Sequence, residues 1–294
     1  MDESRYKQGL GFRNVWTITR LTFFEAARRR ILLAALLLGL AFLAIYDIGF
    51  HFINVQMEKE MGPGDLLVAN QMRNFLLMAG MYVINFLTAM MTVLISVDTL
   101  SGEITSGTIH TLLSKPLRRW EVVLGKWLGF AIMIGLYLVL MTGGILGFIY
   151  MRSGYTANNP WQAVGLMFLN ALLLLSVSLL GGARFSTLTN GVLVFGLYGI
   201  SFIGGWIEQI GSFFTHEAAG RTAVNIGIIT SLIMPSEALW KRAAHELESP
   251  LMSLMGFTPF SARTYPSAIM VGYSVLYLLV ALALTIQIFK RRDL

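Results

Sequence analysis

Ile31-Leu-Leu-Ala-Ala-Leu-Leu-Leu-Gly-Leu-Ala-Phe-Leu-Ala-Ile-Tyr-Asp-Ile-Gly-Phe-His-Phe52 contains one formal charge, Asp47. A helix rises about 1.5 Å per residue, so roughly 20 such residues cross the ~30 Å hydrocarbon core of a bilayer. Five more stretches meet the same test: Phe75–Val97, Trp127–Tyr150, Trp161–Ala183, Gly191–Ile207 and Ala268–Phe289. Thr222–Met234 is apolar but short, a length that suits an interfacial or re-entrant helix. Barrel strands are ~10 residues of alternating polarity, so these long continuous runs exclude a barrel. The expected fold is all-α, with six transmembrane helices in one membrane domain covering 1–294.

Composition agrees. The 294 residues are 55% hydrophobic and 13% charged, and mean hydropathy is +0.67. Soluble chains carry roughly 25% charged residues. Cysteine is absent, which removes disulfides and thiolate chemistry. The first 30 residues are too long and too charged for a cleaved signal peptide, so the first span is expected to stay.

Six crossings place both termini on one side. On that side, the segment before the first span, the 98–126 loop, the loop around Arg184 and the tail gather 15 of the 22 Lys and Arg. The other side has 7. The positive-inside rule then puts both ends in the cytoplasm, 98–126 inside and 209–267 outside. The net charge of +6 follows this loop asymmetry, so it is no sign of nucleic-acid binding. Within 209–267 the expectation is a short buried helix, 222–234, followed by a more polar one.

Before the first span, within 10–30, Phe12, Val15, Trp16, Phe23, Ala26 and Ala27 share one helical face, while Arg13, Thr17, Arg20 and Arg28 occupy the other. Ile18, Leu21 and Phe24 interrupt the polar face. Such a helix suits the plane of the cytoplasmic interface, with arginines toward lipid phosphates. The alternative is a plain extension of the first span.

The longest cytoplasmic connection is Asp98-Thr-Leu-Ser-Gly-Glu-Ile-Thr-Ser-Gly-Thr-Ile-His-Thr-Leu-Leu-Ser-Lys-Pro-Leu-Arg-Arg-Trp-Glu-Val-Val-Leu-Gly-Lys126. Gly107 and Pro116 punctuate it. Between them Ile109, Leu112 and Leu113 fall at i, i+3, i+4, an apolar ridge that needs either a partner or the membrane surface.

This loop resembles that of the six-span permease subunits of ABC-2-type ABC exporters. The family's order is an acid, Gly-Thr-aliphatic, a Leu-Leu pair, Pro, a basic residue and Lys. Here these are Glu103, Gly107-Thr108-Ile109, Leu112-Leu113, Pro116, Arg119 and Lys126. The resemblance extends over the chain, with 10–30 similar to the family's elbow helix and 209–267 to its extracellular hairpin. It is closest to the branch that includes permeases linked to multicopper-enzyme maturation. It implies a coupling helix over Thr105–Ser114 seated in a separate ATPase, two permease copies, two ATPase copies and a prokaryotic inner membrane.

The residues agree with that division of labour. A Walker A loop needs Gly-x-x-x-x-Gly-Lys-Ser/Thr. The Gly125-Lys126 pair has Trp120 at the first Gly position and Trp127 at the hydroxyl position. ATP and magnesium are therefore expected in the partner, with no cofactor and no catalytic residue in this chain.

No two of His51, His110, His216 and His245 share a helical face within one span, and no metal site is expected. Met78/Met81 and Met252/Met255 are thioether pairs of the kind soft metals take, or gap-filling apolar side chains. Asp47 lies about 24 Å along the first span, near its outer boundary, where a hydrated interfacial acid is expected. Asn85, Thr88, Thr92 and Ser96 make one polar stripe on the second span. It lines either a translocation path or a hydrogen-bonded helix seam. Gly143 and Gly147 form a GxxxG pair suited to close helix packing.

The function expected from residues and resemblance together is export of an apolar or amphipathic cargo, driven by a separate ATPase. The alternatives are a mechanotransmitting ABC subunit acting on an outer partner, and a scaffold or channel subunit that uses no ATP.

Overall fold

The computed structural model describes residues 3–60, 66–105, 118–214, 218–249, 260 and 265–291. Among the described residues it is all helical, as expected. The helices are α1 (Glu3–Ala27), α2 (Arg30–Glu60), α3 (Leu66–Ser96), α4 (Thr99–Thr105) and α5 (Arg119–Ser153), then α6 (Pro160–Gly182), α7 (Thr187–Gly211), α8 (Ala218–Ile233), α9 (Ser236–Leu247) and α10 (Ala268–Arg291). Among the described residues six single helices are long and apolar enough to cross a membrane, α2, α3 (continuing into α4), α5, α6, α7 and α10, and the bent pair α8–α9 would make a seventh only as one broken span.

Helix ends follow local chemistry. Gly154 closes α5 in the left-handed region (φ 66°), its N–H donating to the Tyr150 carbonyl at 2.9 Å. Pro160 opens α6, where its missing N–H costs no hydrogen bond. Ser186 caps α7, its hydroxyl accepting from the Thr189 N–H at 3.4 Å.

α6 is the centre. It packs against α3, α4, α5, α7, α9 and α10, and Leu173, Leu174, Leu175 and Leu179 are buried along it. α2 is peripheral. Leu33, Leu37, Leu38, Ile45, Ile48 and Phe52 face outward from it, as a helix apolar on all sides does when lipid covers it.

α1 packs along the first half of α5. The division of its faces differs from the sequence expectation: Ile18 is 7% exposed, whereas Trp16 is 61% exposed and Leu21 and Phe24 also face outward. The cause is shape. The β-branched Val15, Ile18, Thr19 and Thr22 meet Gly125 and Gly129, where an added Cβ would lie 2.6 Å from the Ile18 Cβ and 2.8 Å from the Thr22 Cβ. The bulky side chains are left for the outside. The Gly143/Gly147 expectation is likewise corrected, since an added Cβ at either position meets nothing, and Gly144 instead makes the close approach, to Leu43.

α8 and α9 are joined at Met234-Pro235 and bent by 106°. Pro disfavours helical backbone at the residue before it and cannot donate to the preceding turn. Their burial reverses the expectation. The apolar α8 exposes Ile226, Ile228, Ile229, Leu232 and Ile233. The polar α9 is inside, with Glu237, Leu239, Trp240, Lys241 and Leu247 buried. Apolar side chains are satisfied by lipid, while the charges of α9 need partners: Lys241 Nζ donates to Glu208 Oε2 at 2.7 Å, with the Lys241 side chain 3% exposed.

Glycines let α7, α8 and α9 meet at this contact. A Cβ at Gly204, Gly205 or Gly227 would overlap Thr230, Glu237 or Glu208, respectively. Gly227→Ala places its methyl against the Glu208 Cβ, which cannot move without the backbone. Overpacking of this kind costs about 1–3 kcal/mol. At Gly199 an added Cβ meets nothing, so Gly199→Ala should be neutral or gain up to about 1 kcal/mol of helix propensity. Thermal unfolding of the two purified variants should shift in opposite directions or in Gly227→Ala alone; equal loss in both would contradict the close packing.

Candidate functional site

The ends of α3, α6 and α10, the starts of α5 and α7, and α1 converge at one end of the bundle. The two helices that bracket residues 106–117 are both fastened there. On the α4 side, the Thr187 hydroxyl donates to Asp98 Oδ1 at 2.9 Å and lies 2.9 Å from the Ser101 hydroxyl. Asn190 Nδ2 donates to the carbonyls of Val97 (3.0 Å) and Ser178 (2.9 Å). These bonds tie the α3–α4 junction to the turn between α6 and α7.

On the α5 side, Glu121 Oε2 accepts from the Arg118 N–H at 3.0 Å and from Asn14 Nδ2 at 3.2 Å. The carboxylate thereby satisfies an orphan donor at the helix start and holds α1 at the same point. Arg119 Nη1 donates to the carbonyls of Phe289 (3.1 Å) and Lys290 (3.0 Å). A guanidinium at the last carbonyls of α10 is favoured by the helix dipole. Lys126, about two turns beyond Arg119 on α5, is buried.

The coupling residues themselves are placed only in part. Glu103 belongs to the backbone of α4. Gly107, Thr108, Ile109, Leu112, Leu113 and Pro116 lie outside the described residues, as does the Glu103 side chain.

The polar stripe of α3 is buried throughout. Ser96 Oγ donates to Ser178 Oγ on α6 at 2.8 Å. Asn170 Nδ2 on α6 donates to Asn85 Oδ1 at 3.2 Å, and the Ser236 hydroxyl of α9 donates to Asn170 Oδ1 at 2.7 Å. Thr92 Oγ1 donates back to the Thr88 carbonyl at 2.7 Å. The stripe thus faces α6, and its two ends make hydrogen bonds across the helix boundary. The sequence gives the period of the stripe but not Asn170, Ser178 or Asn190, whose polarity inside apolar runs was the available signal.

At the opposite end, Arg152 donates to both Asp47 oxygens, at 2.6 and 2.5 Å, and its Nη1 lies 2.9 Å from His51 Nδ1. Asp47 is therefore an ion-pair partner across α2 and α5 instead of an acid held by water alone. Arg73 Nε donates to Asn54 at 2.9 Å, and Nη2 to Glu58 at 3.3 Å, joining α2 to α3. Asn74 Nδ2 donates to the Tyr155 hydroxyl and the Leu247 carbonyl, both at 2.9 Å. Burial raises the Tyr155 hydroxyl above its ordinary range, and the Asn74 bond opposes this. Met78 and Met81 are fully buried in the main apolar core. Among the described residues no three His, Cys, Asp or Glu side chains are grouped so that they could hold a metal.

The family model described as ABC-2 family transporter protein matches residues 16–294. The chain belongs to this family. Two probable ABC transporter permease proteins, both NosY, are similar to this ABC-2 chain. That of Pseudomonas aeruginosa is 28% identical over 126 residues, 42% of this chain and 40% of that protein. That of Stutzerimonas stutzeri is 24% identical over 165 residues, 54% of each. The matched stretches thus span about half the length of these curated relatives, or less. With its six apolar helices, this ABC-2 chain is a multi-pass membrane component of an ABC transporter.

Proposed function

We propose that this chain is the permease subunit of an ATP-driven exporter in a bacterial inner membrane, paired with a second permease copy and two copies of a separate cytoplasmic ATPase. The observation that carries this reading is the anchorage of both helices that flank residues 106–117. α4 is tied to the α6–α7 turn through Asp98 and Asn190, and α5 to α1 and α10 through Glu121 and Arg119. A push on 106–117 would reach five spans through hydrogen bonds and packed helices. Ile109, Leu112 and Leu113 supply the ridge that an ATPase cleft would grip, with ATP and magnesium held by that partner. The stripe Asn85, Thr88, Thr92 and Ser96 serves as the seam along which α3 and α6 hold register as the helices move. The cargo is apolar or amphipathic.

The bundle end that carries α1, the 106–117 segment and Arg184 faces the cytoplasm, because the basic residues concentrate there. Single cysteines introduced at Ser114 and Ser249 should then label from opposite faces of the membrane; labelling from one face would overturn this topology. The absence of native cysteine keeps that test clean. Purification of the tagged chain from its own membrane should bring down a Walker-motif ATPase together with any retained cargo. A chain recovered without one would favour the scaffold or channel alternative.

A further inference from the structure

A groove opens on the outer side of the bundle where α1, α2 and α5 meet. Its volume is about 300 Å³, and Phe23, Ala27, Leu33, Leu36, Met133 and Leu140 are among its lining residues. That volume is at the lower end of ordinary ligand pockets, about 300–1,000 Å³. Its one polar lining group, the Tyr137 hydroxyl, already donates to the Ala35 carbonyl at 3.5 Å. The groove can therefore hold only an apolar ligand part.

Charge says what lies at its end. Arg28-Arg29-Arg30 connects Ala27 to the lining residues Leu32 and Leu33 along the chain, so the backbone of the three arginines borders the groove. Arg29 is paired with Glu25 at 2.8 Å, while Arg28 and Arg30 are exposed. Trp16, Leu21 and Phe24 face outward on the same helix, and the Arg20 guanidinium lies 5.6 Å from the centre of the Phe24 ring. An apolar slot with cationic side chains at one end is complementary to a molecule with a hydrocarbon chain and an anionic head.

We propose that this groove is a binding site for an anionic phospholipid, with one acyl chain between α1, α2 and α5 and the phosphate at Arg28 and Arg30. Filling it would join α1, and through Glu121 the start of α5, to the leaflet composition. The site's place in the cytoplasmic leaflet rests on the topology above, but binding to the purified chain depends neither on topology nor on the ATPase.

The test is native mass spectrometry of the full chain in detergent with equal phosphatidylglycerol and phosphatidylcholine added. The wild type should retain phosphatidylglycerol about thirtyfold over phosphatidylcholine, the order expected from two basic side chains. Arg28→Ala with Arg30→Ala should bring the ratio near one without loss of thermal stability. Leu36→Trp, at the groove's open side, should reduce retention of both lipids. Equal retention of the two lipids by the wild type, or undiminished retention by Leu36→Trp, would overturn the proposal. So would disulfide dimers of Leu36→Cys in native membranes, which would show that a second copy of the chain covers the groove. Any of these results would leave ATPase copurification, and with it the transporter reading, untouched.

Discussion

Leu112→Asp should reach the membrane at wild-type levels yet no longer retain its ATPase or export its cargo. Each buried Leu or Ile of the ridge contributes about 1.5–3 kcal/mol by leaving water. A carboxylate in the same cleft would lie unpaired among apolar groups, at a cost of several kcal/mol. A carboxylate at position 112 would be well solvated in a permease without its partner, so insertion and folding should be spared. Copurification of the ATPase measures the effect directly. In the proposed assembly each permease copy carries the same ridge, so the loss should be close to complete. Glu103→Lys should act in the same direction and more weakly, since it reverses one charge at the entry to the ridge without disturbing its apolar face. Intact copurification and transport in Leu112→Asp would remove the coupling role from this segment.

Lys241→Met should be the most damaging single change at the opposite end. Lys241 and Glu208 form a pair inside the α7, α8 and α9 junction, at 2.7 Å, with the Glu208 side chain 14% exposed. Removing one member of a buried pair costs about 3–5 kcal/mol because the other is left uncompensated, whereas replacing both by apolar or neutral groups is often close to neutral. Glu208→Gln combined with Lys241→Met should therefore recover most of the loss. Thermal unfolding of the two single variants and the double variant forms the cycle that isolates the pair. Simple addition of the two single effects would show that the pair carries no coupling.

How much of this was legible beforehand depends on the type of interaction. The six spans were, because continuous apolar length has only one solution in a bilayer. Their ends were less so: α2 runs past Phe52 to Glu60 and α3 begins at Leu66, since helices continue beyond the hydrocarbon wherever the next residues permit it. The faces of α1 and the burial of α8 and α9 were read wrongly for one reason. Hydrophobicity predicts departure from water, but in a membrane that departure leads to lipid as readily as to protein. Small residues mark protein contact better, as Gly125, Gly129 and Gly227 do.

At the candidate site, the 3-4-4 spacing of Asn85, Thr88, Thr92 and Ser96 was visible, whereas the ridge expected at Ile109, Leu112 and Leu113 lies outside the described residues. The anchorage was not visible. It joins Asn14 to Glu121, Asn190 to Val97, and Arg119 to Phe289, residues about 90 to 170 positions apart, and no local periodicity encodes such pairs. The Asp47–Arg152 pair is of the same kind, two charges 105 positions apart whose meeting depends on how α2 and α5 pack.

The central claim is that the ridge at Leu112 enters a separate ATPase and transmits its motion to the spans. Cysteine introduced at Leu112 into this cysteine-free chain, crosslinked in native membranes and identified by mass spectrometry, tests it most directly. The account predicts a crosslink to a Walker-motif ATPase whose yield changes between nucleotide-free and ATP-bound conditions. A crosslink only to lipid or to the permease itself, unchanged by nucleotide, would contradict it.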